Sequence, residues 1–193
     1  MQQVTAVPIS PVERPIGTGG FLDPERIVDQ FGVKEGMKIA DFGSGSGYFT
    51  IILGEKVGST GRVYALDIQE DKLDMVRAKA RSHGLDNIET IRTNLEIPNS
   101  SSLSANSQDI VLLANILFQS TRQADIIKEA VKILNKGGNL IIIDWEKGTG
   151  GFGPPDGIRP DHATLKKIAE KEGLSFVHKL NAGHFHFGLI FKK

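Results

Sequence analysis

Ile39-Ala40-Asp41-Phe42-Gly43-Ser44-Gly45-Ser46-Gly47-Tyr48-Phe49-Thr50 is followed, one helix length further on, by Val63-Tyr64-Ala65-Leu66-Asp67. The first stretch reads as a buried strand, a glycine loop and the start of a helix; the second reads as another strand, ending on a carboxylate. Glycines at alternate positions let backbone N–H groups approach a ligand closely, and the helix behind them points its partly positive N-terminus at any carboxylate or phosphate held there. Asp67, at the tip of the second strand, can accept hydrogen bonds from two ribose hydroxyls. Together these features describe a nucleoside pocket. The dinucleotide fingerprint Gly-x-Gly-x-x-Gly would place its third glycine at position 48, which is Tyr48, so a pyrophosphate ligand is disfavoured.

Outward from this core, strand and helix patterns alternate. Upstream, Asp23-Pro24 pairs a capping acid with proline at the first helical position, predicting a helix to about Gly32 with Ile27, Val28 and Phe31 as its apolar stripe. Met37–Phe42 and Arg62–Leu66 are strands, Tyr48–Val57 and Asp71–His83 helices, and Asn87–Thr93 a third strand. The polar run 99–107 predicts a surface loop. Asp109–Ala114 and Asn139–Asp144 are nearly continuous apolar runs, the pattern of strands covered on both faces, with a helix over Ala124–Leu134 between them and a turn at Gly137-Gly138. A glycine- and proline-rich loop over 147–160 leads to a capped helix over Asp161–Glu172. Ser175–Leu180 and His184–Phe191 then form a hairpin around Asn181-Ala182-Gly183. Residues 1–20, with three prolines and three glycines, read as an irregular arm, and 21–193 as one domain.

Composition narrows the function classes. The 193 residues carry 23 basic and 23 acidic side chains, so the global charge footprint of a nucleic-acid binder is missing. The absence of cysteine excludes disulfides, thiolate metal sites and a catalytic thiol. No metal site is expected. Neither a secretory leader nor an apolar run of membrane-spanning length is visible, and a soluble cytoplasmic protein is the expectation.

Asp-x-Gly-x-Gly-x-Gly, from Asp41 to Gly47, resembles motif I of the class I S-adenosylmethionine-dependent methyltransferases. Leu22-Asp23-Pro24-Glu25-Arg26, Gly36-Met37-Lys38-Ile39-Ala40-Asp41 and Asp86-Asn87-Ile88 resemble its generic members related to the quinone-biosynthesis type. The resemblance implies a three-layer α/β Rossmann-like sandwich with a seven-stranded, mostly parallel sheet and a C-terminal antiparallel hairpin, the last strand inserted beside the fifth. It also implies S-adenosyl-L-methionine as cofactor. The loop Gly43, Ser44, Gly45 and Gly47 would pass the methionine part, Asp41 would lie near its ammonium, and Asp67 would hold the ribose. Ile68 would lie against adenine, and Asn94, beside Leu95, would meet its exocyclic amine. Asn115 would stand beside the methionine part and the acceptor.

The methyl acceptor implied is a small molecule, with a protein or RNA methyltransferase, a non-catalytic binder of the cofactor, and an NAD-binding fold as alternatives. No motif identifies a catalytic base, because that requirement is geometric. Candidates are His184 and His186, expected on one face of the last strand; His178; His162, expected to be solvated; and Asp144, Trp145 and Glu146 at the pocket rim. The loop 147–160 and the arm around Arg14 and Phe21 are candidate covers. Lys128, Lys132 and Lys136 form a basic row along one helix.

Overall fold

The computed structural model describes residues 22–193; the arm and the candidates Arg14 and Phe21 lie outside the described residues. The chain alternates through α1 (Pro24–Val28), β1 (Lys38–Phe42), α2 (Tyr48–Val57), β2 (Arg62–Asp67), α3 (Glu70–Ser82), β3 (Ile88–Arg92), β4 (Gln108–Ala114), α4 (Gln123–Ile133), β5 (Leu134–Trp145), α5 (His162–Lys171), β6 (Ser175–Leu180) and β7 (His186–Lys192). The sheet order is β3-β2-β1-β4-β5-β7-β6. Its first five members run parallel, and β7 enters antiparallel between β5 and β6. The strand order reverses at β1–β4, so the crevice over the carboxyl ends of those two strands is where an open parallel sheet binds ligands.

Two apolar layers hold the sandwich together. Ile27, Val28 and Phe31 of the first helical segment and Phe49, Leu53 and Val57 of α2 pack on Ile39, Val63, Ile110, Leu112 and Ile141. On the opposite face, Ile126, Ile127 and Ala130 of α4 and Leu165 and Ala169 of α5 cover Ala40, Phe42, Val111, Leu113, Leu140 and Ile142. Successive residues of β1, β4 and β5 therefore feed both layers, which is why these strands lack polar alternation. Each fully buried aliphatic or aromatic side chain contributes about 1.5–3 kcal/mol.

Four elements differ from the sequence expectation. The first helix ends at Val28, and Gln30 and Phe31 continue it only as tight turns, donating to the carbonyls of Ile27 and Val28. The 99–107 loop is not purely surface: Ser101 is fully buried and donates its hydroxyl to the buried Glu129 carboxylate of α4 at 2.6 Å. Gly137-Gly138 lies within β5, where the register against β4 jumps from Gln108–Leu134 to Ile110–Asn139. β7 begins at His186 rather than His184. Among the described residues no helix is long and apolar enough to cross a membrane.

Candidate functional site

A cavity of about 600 Å³ opens over the carboxyl ends of β1, β2, β3 and β4. Asp41, Gly43, Ser44, Gly45, Asp67, Ile68, Asn94, Leu95 and Asn115 line it; Gly47, also expected there, does not. Gly47 instead caps α2 with a left-handed φ of 83°, and a Cβ on it would come within 3.0 Å of Val76 Cγ2 in α3. Its glycine serves the turn and the helix packing.

The loop is held by β2. The N–H groups of Gly43 and Ser44 donate to the Leu66 carbonyl, that of Gly45 to Asp67 Oδ2 at 2.9 Å, and that of Gly47 to the Ser44 carbonyl. Four of the five N–H groups from Gly43 to Gly47 are thus used internally, unlike a phosphate cradle, which keeps them for the ligand. Gly43 is close to the wall opposite: a Cβ there would meet Ile116 Cδ1 at 2.7 Å, and its φ is 72°. From α3, the Lys79 ammonium donates to the Ser46 carbonyl at 2.7 Å and sits over the Tyr48 ring.

The two expected acids differ in environment. Asp67 accepts from the N–H groups of Gly45 and Gln69, one on each carboxylate oxygen, so each oxygen keeps a lone pair for a ligand. Asp41 is 1% exposed and accepts the Thr50 hydroxyl at 2.6 Å. Burial pushes its carboxyl up to about 6, with the Asp67 charge adding and the Thr50 hydrogen bond opposing. Thr50 carried no sequence signal beyond its place in the first turn after the loop.

The far wall comes from the segments after β3 and β4. Asn94 Oδ1 accepts the N–H of Glu96 at 3.0 Å, an Asx-type turn that leaves the amide N–H groups for a ligand. Glu96 and Ser120 also line the cavity, joined by Ser120 Oγ donating to Glu96 Oε1 at 2.5 Å; sequence reasoning named neither, since only the fold brings these two loops together. Asn115 has a φ of 55°, and its Oδ1, like the Ser44 hydroxyl, is buried without a hydrogen-bond partner.

The end of β5 departs from the expected pocket rim. None of Asp144, Trp145 and Glu146 lines the cavity. Asp144 is completely buried and accepts from the N–H groups of Leu117 (3.0 Å), Phe118 (3.2 Å) and Trp145 (2.8 Å). Burial pushes its carboxyl up to about 6 against those three hydrogen bonds. Trp145 packs against His186, with ring centroids 4.2 Å apart and the planes tilted by 36°. The Glu146 carboxylate is 3.1 Å from His162 Nε2, and His162, expected in solvent, packs its ring on Phe187.

His184 and His186 do not form a pair on one face: His184 is exposed ahead of β7, whereas His186 is buried with both ring nitrogens unpartnered. Burial, then the nearby Arg159 charge, pushes the His186 imidazole down to about 4. His178 is exposed in β6. The loop 147–160 is fastened by Arg159, also missed in the sequence, which donates to the carbonyls of Glu146, Phe152 and Pro154 and to the Thr149 hydroxyl. In the basic row, the Lys132 ammonium is bound to Glu129 at 2.6 Å, which removes the middle charge from a free patch. Among the described residues no cluster could hold a metal ion.

Comparison with known proteins bears on the family and the fold. The model of the methyltransferase domain family matches residues 33–174. The ubiquinone/menaquinone biosynthesis C-methyltransferase of Shewanella sediminis is 26% identical over 157 residues, covering 80% of this chain and 56% of that protein. Its counterpart in Hahella chejuensis is 32% identical over 124 residues, covering 63% and 48%. The chain thus spans about half the length of the curated relatives it matches. A crystal structure of a SAM dependent methyltransferase from Aquifex aeolicus superposes with a TM-score of 0.79 at 28% identity, covering 89% of both chains.

Proposed function

The chain belongs to the class I S-adenosylmethionine-dependent methyltransferases, and from that premise we propose that the cavity over β1–β4 binds S-adenosylmethionine and serves methyl transfer to a small-molecule acceptor. The observation that carries the cofactor assignment is the placement of the two acids in one cavity with two unpartnered buried oxygens, Ser44 Oγ and Asn115 Oδ1. Buried polar atoms without partners are rare in folded proteins, and a ligand with donors and acceptors would satisfy them. The residues present therefore suit the cofactor.

In this reading the free lone pairs of Asp67 accept the ribose hydroxyls, Asp41 faces the ammonium, and the exposed Ile68 side chain covers one face of the adenine. Asn94 donates to the base edge and Glu96 accepts from it, because the Asn94 oxygen is occupied by its own turn. S-adenosylmethionine supplies an activated methyl group, so the protein's part is to align acceptor, methyl carbon and sulfur. The acceptor class is supported by the relatives' naming as C-methyltransferases of ubiquinone and menaquinone biosynthesis, and by the zero net charge. Residues 21–193 act as one catalytic unit.

Calorimetric titration with S-adenosylmethionine, S-adenosylhomocysteine and NAD tests the reading. Binding of the first two and not of NAD is expected, followed by turnover in a screen of phenolic and other small acceptors; binding of NAD alone, or of none, would overturn it.

A further inference from the structure

The wall segment that follows β4 is fixed from behind by a group outside the cavity. Asn115 leaves the strand in a left-handed conformation, its N–H donating to the Ile143 carbonyl at 2.8 Å. Its own carbonyl accepts from Gln119 Nε2 at 2.9 Å. Next comes Ile116, which abuts Gly43, and then Leu117 and Phe118, whose N–H groups both converge on Asp144 Oδ2. Asp144 Oδ1 is held by the Trp145 N–H. These two orphan N–H groups at the start of a short 3-10 turn have no helical partner of their own, so a buried carboxylate is what closes the segment.

We infer that Asp144 is a positioning residue for the cofactor site: by anchoring Leu117 and Phe118 it fixes the turn that sets the Asn115 carboxamide in the cavity wall. The inference rests on the cofactor assignment made above. Asp144 makes no contact with the cavity, so its effect on binding passes through Asn115 and Ile116. A burial this complete, with no basic side chain ion-paired to the carboxylate among the described residues, is costly unless the hydrogen bonds are retained. It holds the carboxyl well above its usual range, and the three N–H donors are what keep an ionised form available.

The test is a double-mutant cycle on the dissociation constant for S-adenosylhomocysteine, measured by calorimetry at pH 8. Asn115→Gly removes the carboxamide while keeping the left-handed turn. Asp144→Asn keeps the shape but presents an amide N–H₂ or a single oxygen to three donors. Each change is expected to weaken binding about tenfold, and the double variant also about tenfold, because the second change removes what the first has already lost. A purely structural role for Asp144 predicts multiplication to about a hundredfold, and that result would overturn the inference, as would unchanged affinity in either single variant. If Asp144→Asn does not fold, Asp144→Ser, which keeps a short acceptor, completes the same cycle. Failure of the wild-type protein to bind the cofactor would refute the cofactor assignment itself, a result distinct from additivity.

Discussion

Proton release on cofactor binding follows from the environment of Asp41. Its carboxylate is enclosed, touches one hydroxyl, and faces the second acid, Asp67, across the same cavity. Moving the carboxyl from 3.8 to about 6 corresponds to about 3 kcal/mol between the ionised group in water and in the empty site. In the empty protein about half of the molecules then carry the proton at pH 6, about a tenth at pH 7 and about a hundredth at pH 8. A cationic ammonium beside the carboxylate favours its ionised form and expels that proton. Binding at pH 6 should release about half a proton, visible as a difference in calorimetric enthalpy between two buffers of unlike ionisation enthalpy, and almost none at pH 8. Apparent affinity should fall about twofold from pH 8 to pH 6 and about tenfold to pH 5. Asp41→Asn should bind more weakly at pH 8 and lose this dependence. Equal enthalpies in both buffers at pH 6, or an unchanged proton count in Asp41→Asn, would refute the reasoning.

Three further outcomes are expected. Asp67→Ala removes the acceptor of the Gly45 and Gln69 N–H groups as well as the proposed ribose contact, so cofactor affinity should drop at least tenfold by calorimetry; near-wild-type affinity in a folded variant would remove Asp67 from the site. Arg159→Met removes the donor to the carbonyls of Phe152 and Pro154 in the loop and of Glu146 just before it, and should cost about 3 kcal/mol in urea unfolding, with new proteolytic cleavage between 147 and 157; an uncut loop would show that the fastening lies elsewhere. His186 is held neutral with its pKa below that of the unfolded chain, so its contribution to stability is complete above pH 6.5 and is lost as the pH falls toward about 4. His186→Phe, which keeps an aromatic partner for Trp145, should therefore flatten the acid limb of a thermal-melting profile; an unaltered limb would mean that other groups set it.

Much of the fold was legible because its signals are local. The glycine loop, the acid ending β2 and the doubly apolar β4 and β5 each state their structure within a dozen residues, and the helix over Tyr48–Val57 lies where its sequence places it. The misplaced parts depend on partners distant in the chain. Asp144 looked like a rim acid because it ends a strand, yet the two N–H groups it holds come from a turn 26 and 27 residues earlier. Ser101 sits in a polar run that composition assigns to solvent, and only the buried Glu129, 28 residues on, draws it inward. His184 and His186 alternate as strand neighbours should, but the antiparallel ladder begins with the pair Trp145–His186, so one ring packs against Trp145 and the other stays outside. Glu96 and Ser120 meet only once the sheet has set β3 and β4 with β2 and β1 between them and the segments after β3 and β4 converge over the cavity.

Electrostatics separates the nucleoside ligands independently of glycine spacing. Asp41, Asp67 and Glu96 all line the cavity, against Lys72 as the sole basic side chain at its wall among the described residues, and none of the four is ion-paired there. A dinucleotide would bring a pyrophosphate toward this surplus of carboxylates; two like charges about 4 Å apart repel by about 4 kcal/mol at the effective dielectric of a protein surface. The loop does not offset this, since the N–H groups of Gly43, Ser44, Gly45 and Gly47 are already donated within the protein. A sulfonium with an ammonium beside it has the opposite sign and gains from the same surplus. On the proposed assignment, methyl transfer would remove the sulfonium charge and leave a product that the carboxylates would hold less strongly than the donor. Charge would then favour both uptake of the donor and release of what remains, and raising the ionic strength should narrow the affinity gap between S-adenosylmethionine and S-adenosylhomocysteine. An unchanged ratio from about 0.05 to about 0.5 M salt would show that the carboxylates do not discriminate by charge.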